Sequence, residues 1–200
     1  VTHYNLGVRR ETSADIARRW QAECEPRLLP ATENHVVFSL GANDVSLVDG
    51  RRRVPEDETL AHLRTMLVGA GQRYRTLVVG PPPAHDDGHN ARLGQLSMRM
   101  QDTSAQLGIP YIATLPILLD DAVWRDEVRD NDGAHPRAAG YARLAELVAA
   151  RHQREHDPQR PPARRGDQGP ELQAQQRRPV QAHADRPPAQ GRVLLALGLH

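Results

Sequence analysis

The sequence predicts an α/β protein built on a parallel sheet, and three observations lead to this fold class. Short apolar runs alternate with amphipathic stretches through residues 1–150, a pattern typical of parallel strands joined by helices. Apolar residues recur at helical spacing in the amphipathic stretches, so each helix has one face to lay on a sheet. Polar turns follow the apolar runs, at the end of the strands where open α/β sheets bind ligands.

The elements follow in order along the chain. The predicted strands are residues 2–6, 35–40, 75–79 and 110–113. The first helix, residues 13–25, opens with a capping-box pattern at residues 12–15. The second and third helices each carry an apolar stripe, formed by Leu60, Leu63 and Leu67 and by Leu93, Leu96, Met100 and Leu107. The last helix begins near Pro136, ends near residue 152 and turns inward Tyr141, Leu144, Leu147 and Val148.

Composition divides the chain near residue 152. Residues 151–200 hold nine Arg against five acids, with seven Pro and eight Gln. This segment therefore has a net charge of +4, and because the whole chain has +1, residues 1–150 have a net charge of about −3. We expect a domain over residues 1–152 and a disordered Pro/Gln/Arg-rich tail over residues 153–200. The apolar run 193–199 stands alone in this tail, and we expect it to stay outside the sheet.

Charge and cysteine content exclude several classes of function. The mildly acidic body lacks the basic face of a nucleic-acid-binding domain, so nucleic acid is not an expected partner. Cys24 is the only cysteine, which excludes an internal disulfide and a Cys-based zinc cluster and predicts a buried, inert thiol. No apolar run approaches the ~18 residues of a membrane span, and no signal peptide opens the chain. Cellular location and oligomeric state stay open.

The first polar turn with candidate functional residues is Gly41-Ala42-Asn43-Asp44, directly after the apolar run that ends at Leu40. A glycine there permits a sharp backbone turn, and the Asn43 amide is a neutral donor that can face a developing oxyanion. The same residue types are also ordinary turn formers. Taken alone, the motif indicates either a turn or a donor site.

The second polar turn with candidate functional residues is Asp132-Gly133-Ala134-His135-Pro136, just before the last predicted helix. An Asp three residues before a His can bond the ring Nδ1, which fixes the tautomer and leaves Nε2 free as a general base. The alternative is an Asx-type turn that leads into a helix started by Pro136.

Together with Asn5-Leu6-Gly7-Val8 after the first strand, these turns resemble the SGNH hydrolases, also called GDSL-type esterases and lipases. The blocks of that family run in the order Gly-Asp-Ser nucleophile, oxyanion-hole Gly, Gly-x-Asn-Asp, and Asp-x-x-His. Gly7 matches the second block, residues 41–44 the third, and Asp132 with His135 the last. The stretch 4–20 is similar to actinobacterial members. The resemblance covers residues 1–150 and implies a three-layer α/β/α flavodoxin-like fold with sheet order 2-1-3-4-5.

The resemblance also implies a mechanism. His135 would act as general base, Asp132 would orient His135, and the Gly7 N–H with the Asn43 side chain would stabilise the tetrahedral oxyanion. It implies a small-molecule acyl ester or lipid as substrate, an acyl-enzyme intermediate, and neither a cofactor nor a metal ion.

The sequence departs from the family pattern at the Gly-Asp-Ser block. This block should lie some tens of residues before Gly7, and it is missing from the sequence. The serines of this chain do not replace it, since none has a Gly-flanked strand-to-helix setting; they are Ser13, Ser39, Ser46, Ser97 and Ser104. We therefore expect an N-terminally truncated domain whose first strand is missing between the strands at 2–6 and 35–40. The unpaired edges of that gap predict a chain that unfolds without a cooperative transition.

Two other functions are open at this point. The resemblance implies a serine-type ester hydrolase that is inactive in this chain, because the nucleophile is absent; the alternatives are a non-catalytic binding protein on the same scaffold and a decayed pseudoenzyme. A flavodoxin-like nucleotide-binding module is disfavoured, because no phosphate loop is visible.

Three further motifs have two interpretations each. Residues 85–89 predict a solvated loop in preference to a metal site. Arg9 and Arg10 indicate surface charge or an anion contact, and Trp124 either walls an acyl pocket or anchors its loop.

Overall fold

The computed structural model describes residues 2–30, 32–155 and 192–197. Seven strands are present in this part of the chain: β1 Thr2–Asn5, β2 Asn34–Ser39, β3 Leu47–Val48, β4 Arg51–Arg52, β5 Arg75–Val79, β6 Tyr111–Ile112 and β7 Arg192–Leu197. Its helices are α1 Ser13–Cys24, α2 Glu56–Gly71, α3 Asp87–Gln106, α4 Leu115–Asp120, α5 Ala122–Arg129 and α6 Ala138–Glu155. The main sheet has the order β1-β7-β2-β5-β6, and all its pairings are parallel.

The α/β fold class and the main elements are confirmed. The four predicted strands appear with no end moved by more than one residue, and the four predicted helices are present. Helix α6 continues to Glu155, slightly beyond the predicted domain end at residue 152. The sequence reasoning missed α4, α5 and the β3–β4 hairpin. Asp49 and Gly50 connect this hairpin with φ values of 51° and 74°, the two-residue turn that an Asp-Gly pair favours.

The sheet separates two apolar clusters and so forms the middle of three layers. Val36 and Phe38 of β2 face the cluster built with α1, α2 and α3. Val37, between them in sequence, faces the cluster built with α5 and α6. Trp20 of α1 packs edge-on against Phe38 with ring centroids 5.5 Å apart. This alternation along β2 is the pattern of a strand covered by helices on both faces.

Cys24 lies in the first of these clusters, as expected for an inert thiol. Its side chain is buried among the residues of α1 and α2, and burial raises the pKa of the thiol to about 12. At neutral pH the sulfur is therefore protonated and a poor nucleophile. No helix in the described ranges is long and apolar enough to cross a membrane.

The main difference from the sequence-based expectation is β7. We expected the run 193–199 to remain outside the sheet, but residues 192–197 pair with β1 on one side and with β2 on the other. They fill the position where the resemblance places the missing first strand. Two facing edges offer unpaired backbone donors and acceptors, and a six-residue apolar strand can satisfy both. The remainder of the predicted disordered tail, residues 156–191 and 198–200, lies outside the described residues.

A proline in the middle of β7 tests this pairing. Leu195 is registered with Asn5 in β1 and with Val37 in β2, and Leu195→Pro removes a backbone donor from a central strand. Because β7 closes the gap that led us to expect non-cooperative unfolding, we now expect the wild-type protein to unfold cooperatively in urea. The variant should lose roughly 2 kcal/mol or more of unfolding free energy. Ala184→Pro, in the segment before β7, is the matched control. Equal stability of the two variants would contradict the placement of β7.

Candidate active site

The predicted site residues lie on loops at the carboxyl edge of the sheet. Gly7 follows β1, and the turn at 41–44 follows β2. The loop with Asp132 and His135 connects α5 to α6, and it is held beside the loop that leaves β5, because the His85 N–H donates to the Gly133 carbonyl at 2.8 Å. The strand directions therefore bring these loops to one edge.

Asp132 and His135 form the pair that the sequence predicted. Nδ1 of His135 lies 2.7 Å from Oδ2 of Asp132. Oδ1 of Asp132 accepts the backbone N–H groups of Ala134 at 2.9 Å and His135 at 2.8 Å. Both the turn and the ring contact are thus present, so the two alternatives for this motif coexist. Within the described residues, Nε2 of His135 has no hydrogen-bond partner.

The bond from His135 has a clear electrostatic consequence for Asp132. That side-chain bond is the largest cause that lowers the pKa of the Asp132 carboxyl to about 2, and the two backbone N–H bonds add to it. The carboxylate is therefore ionised at any pH near neutrality. An ionised carboxylate at Nδ1 accepts a hydrogen from that nitrogen, which favours the tautomer in which Nε2 is an acceptor.

The loop that carries this pair is fixed from several sides. Gly133 has φ of 80°, a conformation that favours glycine, and its N–H donates to Val128 O at 3.0 Å. The Asn131 side chain donates to the His135 carbonyl at 3.0 Å. Trp124 lies in α5, buried, and its indole N–H donates to Pro83 O at 2.9 Å. Trp124 therefore anchors α5 to the loop that leaves β5, and it is not the wall of an open pocket.

The turn at 41–44 is built around a buried carboxylate. Gly41 has φ of 106°, and Asp44 is 1% exposed. The Asp44 carboxylate accepts the Ser13 N–H at the start of α1 at 3.1 Å and the Thr59 hydroxyl at 3.0 Å. A carboxylate at a helix N-terminus is favoured by the helix dipole. Asp44 thus fixes the turn against α1 and α2, a role that the motif alone did not reveal.

The two predicted oxyanion donors have protein partners in this structure. Nδ2 of Asn43 donates to the Glu11 carbonyl at 2.9 Å; an amide nitrogen carries two hydrogens, so one donor is left. The Gly7 N–H donates to Oδ1 of Asn5 at 2.9 Å. This N–H is therefore occupied by an exposed side chain two residues earlier. No hydrogen bond between described residues joins the pair Gly7 and Asn43 to the pair Asp132 and His135.

The serines hold structural positions. Ser13 is buried at the start of α1 with its Oγ 3.0 Å from Nδ1 of His62. Ser46, Ser97 and Ser104 bond Ala42, Tyr111 and Met100 respectively. The Ser39 hydroxyl is buried without a hydrogen-bond partner among the described residues. None of the five bonds His135, so none takes the nucleophile position beside that ring.

Residues 85–89 also differ from the expected loop. Asp87 begins α3, and the Asp86 carboxylate accepts the backbone N–H of His89, which makes Asp86 an N-cap. Burial lowers the pKa of His89. Across residues 2–30 and 32–155, no group of three His, Cys, Asp or Glu side chains is arranged to hold a metal ion.

Comparisons with known proteins identify the family and the fold. The profile of the GDSL-like Lipase/Acylhydrolase family matches residues 1–143, and the chain therefore belongs to this family. Among solved structures, the lipase/acylhydrolase from Enterococcus faecalis is similar, with 24% identity, a TM-score of 0.60, and coverage of 76% of this chain and 75% of that one.

Two further structures share the fold. A GDSL-like lipase from Bacteroides thetaiotaomicron VPI-5482 has 20% identity and a TM-score of 0.57, with 73% of each chain covered. An acetylxylan esterase from Geobacillus stearothermophilus has 18% identity and a TM-score of 0.53, with coverage of 70% of this chain and 67% of that one. Among curated proteins, none matches this chain.

The titration of Asp132 tests the geometry of the pair. We expect its carboxyl to titrate with a pKa of about 2, compared with the usual 3.8. Because the folded pKa is depressed, the carboxylate stabilises the fold above pH ~4, and this contribution is lost as the pH falls towards 2. Carboxyl-carbon NMR chemical shifts measure the titration. His135→Ala should raise the pKa of Asp132, whereas His89→Ala should leave it unchanged; an unchanged pKa in His135→Ala would refute the contact.

Proposed function

We propose that this chain supplies the general base, its orienting carboxylate and two oxyanion donors of an acyl ester hydrolase. The contact between His135 and Asp132 is the observation that carries the proposal. It directs Nδ1 to a carboxylate that is ionised near neutral pH and leaves Nε2 available to accept a proton from a hydroxyl group. Membership in the GDSL-like lipase/acylhydrolase family supports the assignment of this chemistry.

Asn43 and Gly7 are the proposed oxyanion donors. The bond from Asn43 to the Glu11 carbonyl fixes the orientation of the amide, and its second hydrogen is available to an oxyanion. A neutral donor held in place needs little reorganisation when charge develops, which is why such donors lower the barrier. The Gly7 N–H becomes available once the exposed Asn5 side chain moves away, so substrate binding must displace the contact of 2.9 Å between them.

The nucleophile is the part that these 200 residues do not provide. In the family pattern a Gly-Asp-Ser block follows the first strand, and β7 occupies the position of that strand. Gly198, Leu199 and His200 follow β7 in the sequence, so only the glycine of the block is matched. We therefore propose that the chain of 200 residues hydrolyses esters at a rate near background. What is left is the residual catalysis that substrate binding and oxyanion stabilisation give.

Small acyl esters are the substrate class that we propose. The similar structure from Geobacillus stearothermophilus is an acetylxylan esterase, and that from Enterococcus faecalis is a lipase/acylhydrolase. A second candidate function, ester binding without turnover, is favoured by the missing nucleophile. The two are separated by whether a supplied serine produces hydrolysis that depends on His135.

Restoring the nucleophile block tests the proposal. We expect p-nitrophenyl acetate hydrolysis by the chain itself to be near background and unaffected by alanine at any of its serines. Leu199→Asp/His200→Ser, followed by a short added segment, completes Gly-Asp-Ser after β7 and should give a burst of p-nitrophenol that His135→Ala removes. The same block placed ahead of Val1 is the second arrangement to test. Lack of His135-dependent turnover in both arrangements would contradict the role of His135.

In whichever arrangement is active, Asn43→Ala should lower turnover by roughly 100- to 1,000-fold, the usual effect of removing one oxyanion donor. Asn34→Ala is the matched control, because Asn34 lies at the opposite end of β2 and donates to Leu29 O. The measurement is kcat from initial rates, with circular dichroism to confirm folding. Turnover unchanged by Asn43→Ala would refute the donor role of this amide.

A further inference from the structure

Two loops beside the candidate site carry exposed arginines together with exposed aliphatic side chains. The first loop holds Val8, Arg9 and Arg10, and the second is the β3–β4 hairpin with Arg53 directly after it. We name the surface formed by their exposed arginines and aliphatic residues the arginine rim; its members are Val8, Arg9, Arg10, Leu47, Val48, Arg51 and Arg53, and the hairpin tip adds one exposed acid, Asp49. Val8 is 49% exposed, Leu47 48% and Val48 57%. Large aliphatic side chains this exposed, grouped together and rimmed by charge, are typical of a docking surface.

Direct contacts join the two loops of the arginine rim. The Arg53 guanidinium donates to the Arg10 carbonyl at 3.0 Å. The Arg53 N–H donates to Ser46 O at 2.9 Å, which closes the base of the hairpin. The tight Asp-Gly turn makes the hairpin short and fixes Val48 opposite Arg51. The contact from Arg53 therefore places the two loops side by side. Because side chains alternate along a strand, Val48 and Arg51 lie on one face of the hairpin, and Leu47 and Arg52 lie on the other.

The four arginines of the rim lack acidic partners. None of Arg9, Arg10, Arg51 and Arg53 forms an ion pair with a described residue, whereas their neighbours Arg19 and Arg52 are paired with Glu11 and Glu56. Four unneutralised guanidinium groups around three aliphatic side chains attract a surface that is both anionic and apolar. For Arg9 and Arg10 the absence of an acidic partner in the described part of the chain is compatible with an anion contact.

The arginine rim adjoins the oxyanion side of the candidate site. The Asn43 amide holds the Glu11 carbonyl at the end of the first loop, at 2.9 Å. The Val54 N–H, just after the hairpin, donates to Asp44 O at 3.2 Å. Both loops are therefore attached to the turn at 41–44, so a surface docked on the rim lies next to the proposed oxyanion donors.

We propose that the arginine rim docks the protein on the surface of an anionic lipid bilayer. Guanidinium groups pair with anionic headgroups, and the aliphatic side chains enter the boundary between headgroups and acyl chains. A nucleic acid fits less well, because the phosphate backbone of a duplex offers nothing to the exposed aliphatic side chains and the rim has no aromatic side chain on which unpaired bases could stack. The proposal goes beyond ester hydrolysis and does not require the missing nucleophile.

Vesicle co-sedimentation of the full chain tests this proposal. Binding is expected with vesicles of phosphatidylglycerol and phosphatidylcholine, is much weaker with phosphatidylcholine alone, and decreases as salt is raised. Arg9→Gln/Arg10→Gln/Arg51→Gln should weaken the binding by roughly 10- to 100-fold. Arg164→Gln/Arg165→Gln/Arg177→Gln removes the same charge from the basic tail and is the matched control, with an expected change below about threefold. Leu47→Ser/Val48→Ser keeps the charge and should weaken binding by about tenfold.

Several outcomes would overturn the proposal. Vesicle binding that the rim substitutions leave unchanged, or that only the tail substitutions reduce, places the interaction elsewhere. Binding that depends on the arginines but not on Leu47 and Val48 shows that charge attraction alone holds the protein to the vesicle, and it contradicts the entry of the aliphatic side chains into the bilayer. Tighter binding to duplex DNA than to anionic vesicles, with the same dependence on the arginines, identifies a nucleic acid as the partner. All the substituted rim side chains are exposed or make only surface contacts, and circular dichroism checks that each variant folds.

Discussion

The insertion of β7 between β1 and β2 is the interaction on which the rest of the structure depends. β2 carries side chains to both apolar clusters, Val36 and Phe38 to one and Val37 to the other. Its backbone must therefore be paired on both sides, because water does not reach its donors and acceptors. β5 supplies one side and β7 the other. With β7 in place, β1 is also joined to the sheet, and its exit loop reaches the edge where the exit loops of β2 and β5 lie.

Two carboxylates at this edge show how environment assigns different tasks to the same functional group. Asp44 is buried and accepts bonds from Ser13 and Thr59, so it joins the turn at 41–44 to two helices. Asp132 is half exposed and accepts bonds from its own loop and from the His135 ring. The first carboxylate makes a rigid support for Asn43. The second holds the His135 ring in one orientation.

The sequence was sufficient for those features that depend on local pattern. Helical spacing of Leu60, Leu63 and Leu67 predicted α2, and the three-residue separation of Asp132 and His135 predicted their contact, because both depend on residues close in the chain. The β3–β4 hairpin could have been recognised from Asp49-Gly50, although its strands have only two residues each. The site roles themselves stay proposals, since they depend on a substrate and a nucleophile.

Features that depend on distant partners could not be predicted in the same way. The register of β7 arises from two strands more than 150 residues earlier in the chain, and an isolated apolar run does not specify such a pairing. The link from Arg53 to the Arg10 carbonyl likewise appears only when the two loops are placed side by side.

Amide hydrogen exchange of the intact chain tests the central claim most directly. If β7 is a central strand of the sheet, the amides of residues 193–197 exchange as slowly as those of Leu77 and Val78 in β5, because both then open only with the whole sheet. Exchange of the β7 amides at the rate of an unstructured peptide, while those of β5 remain protected, would contradict the account.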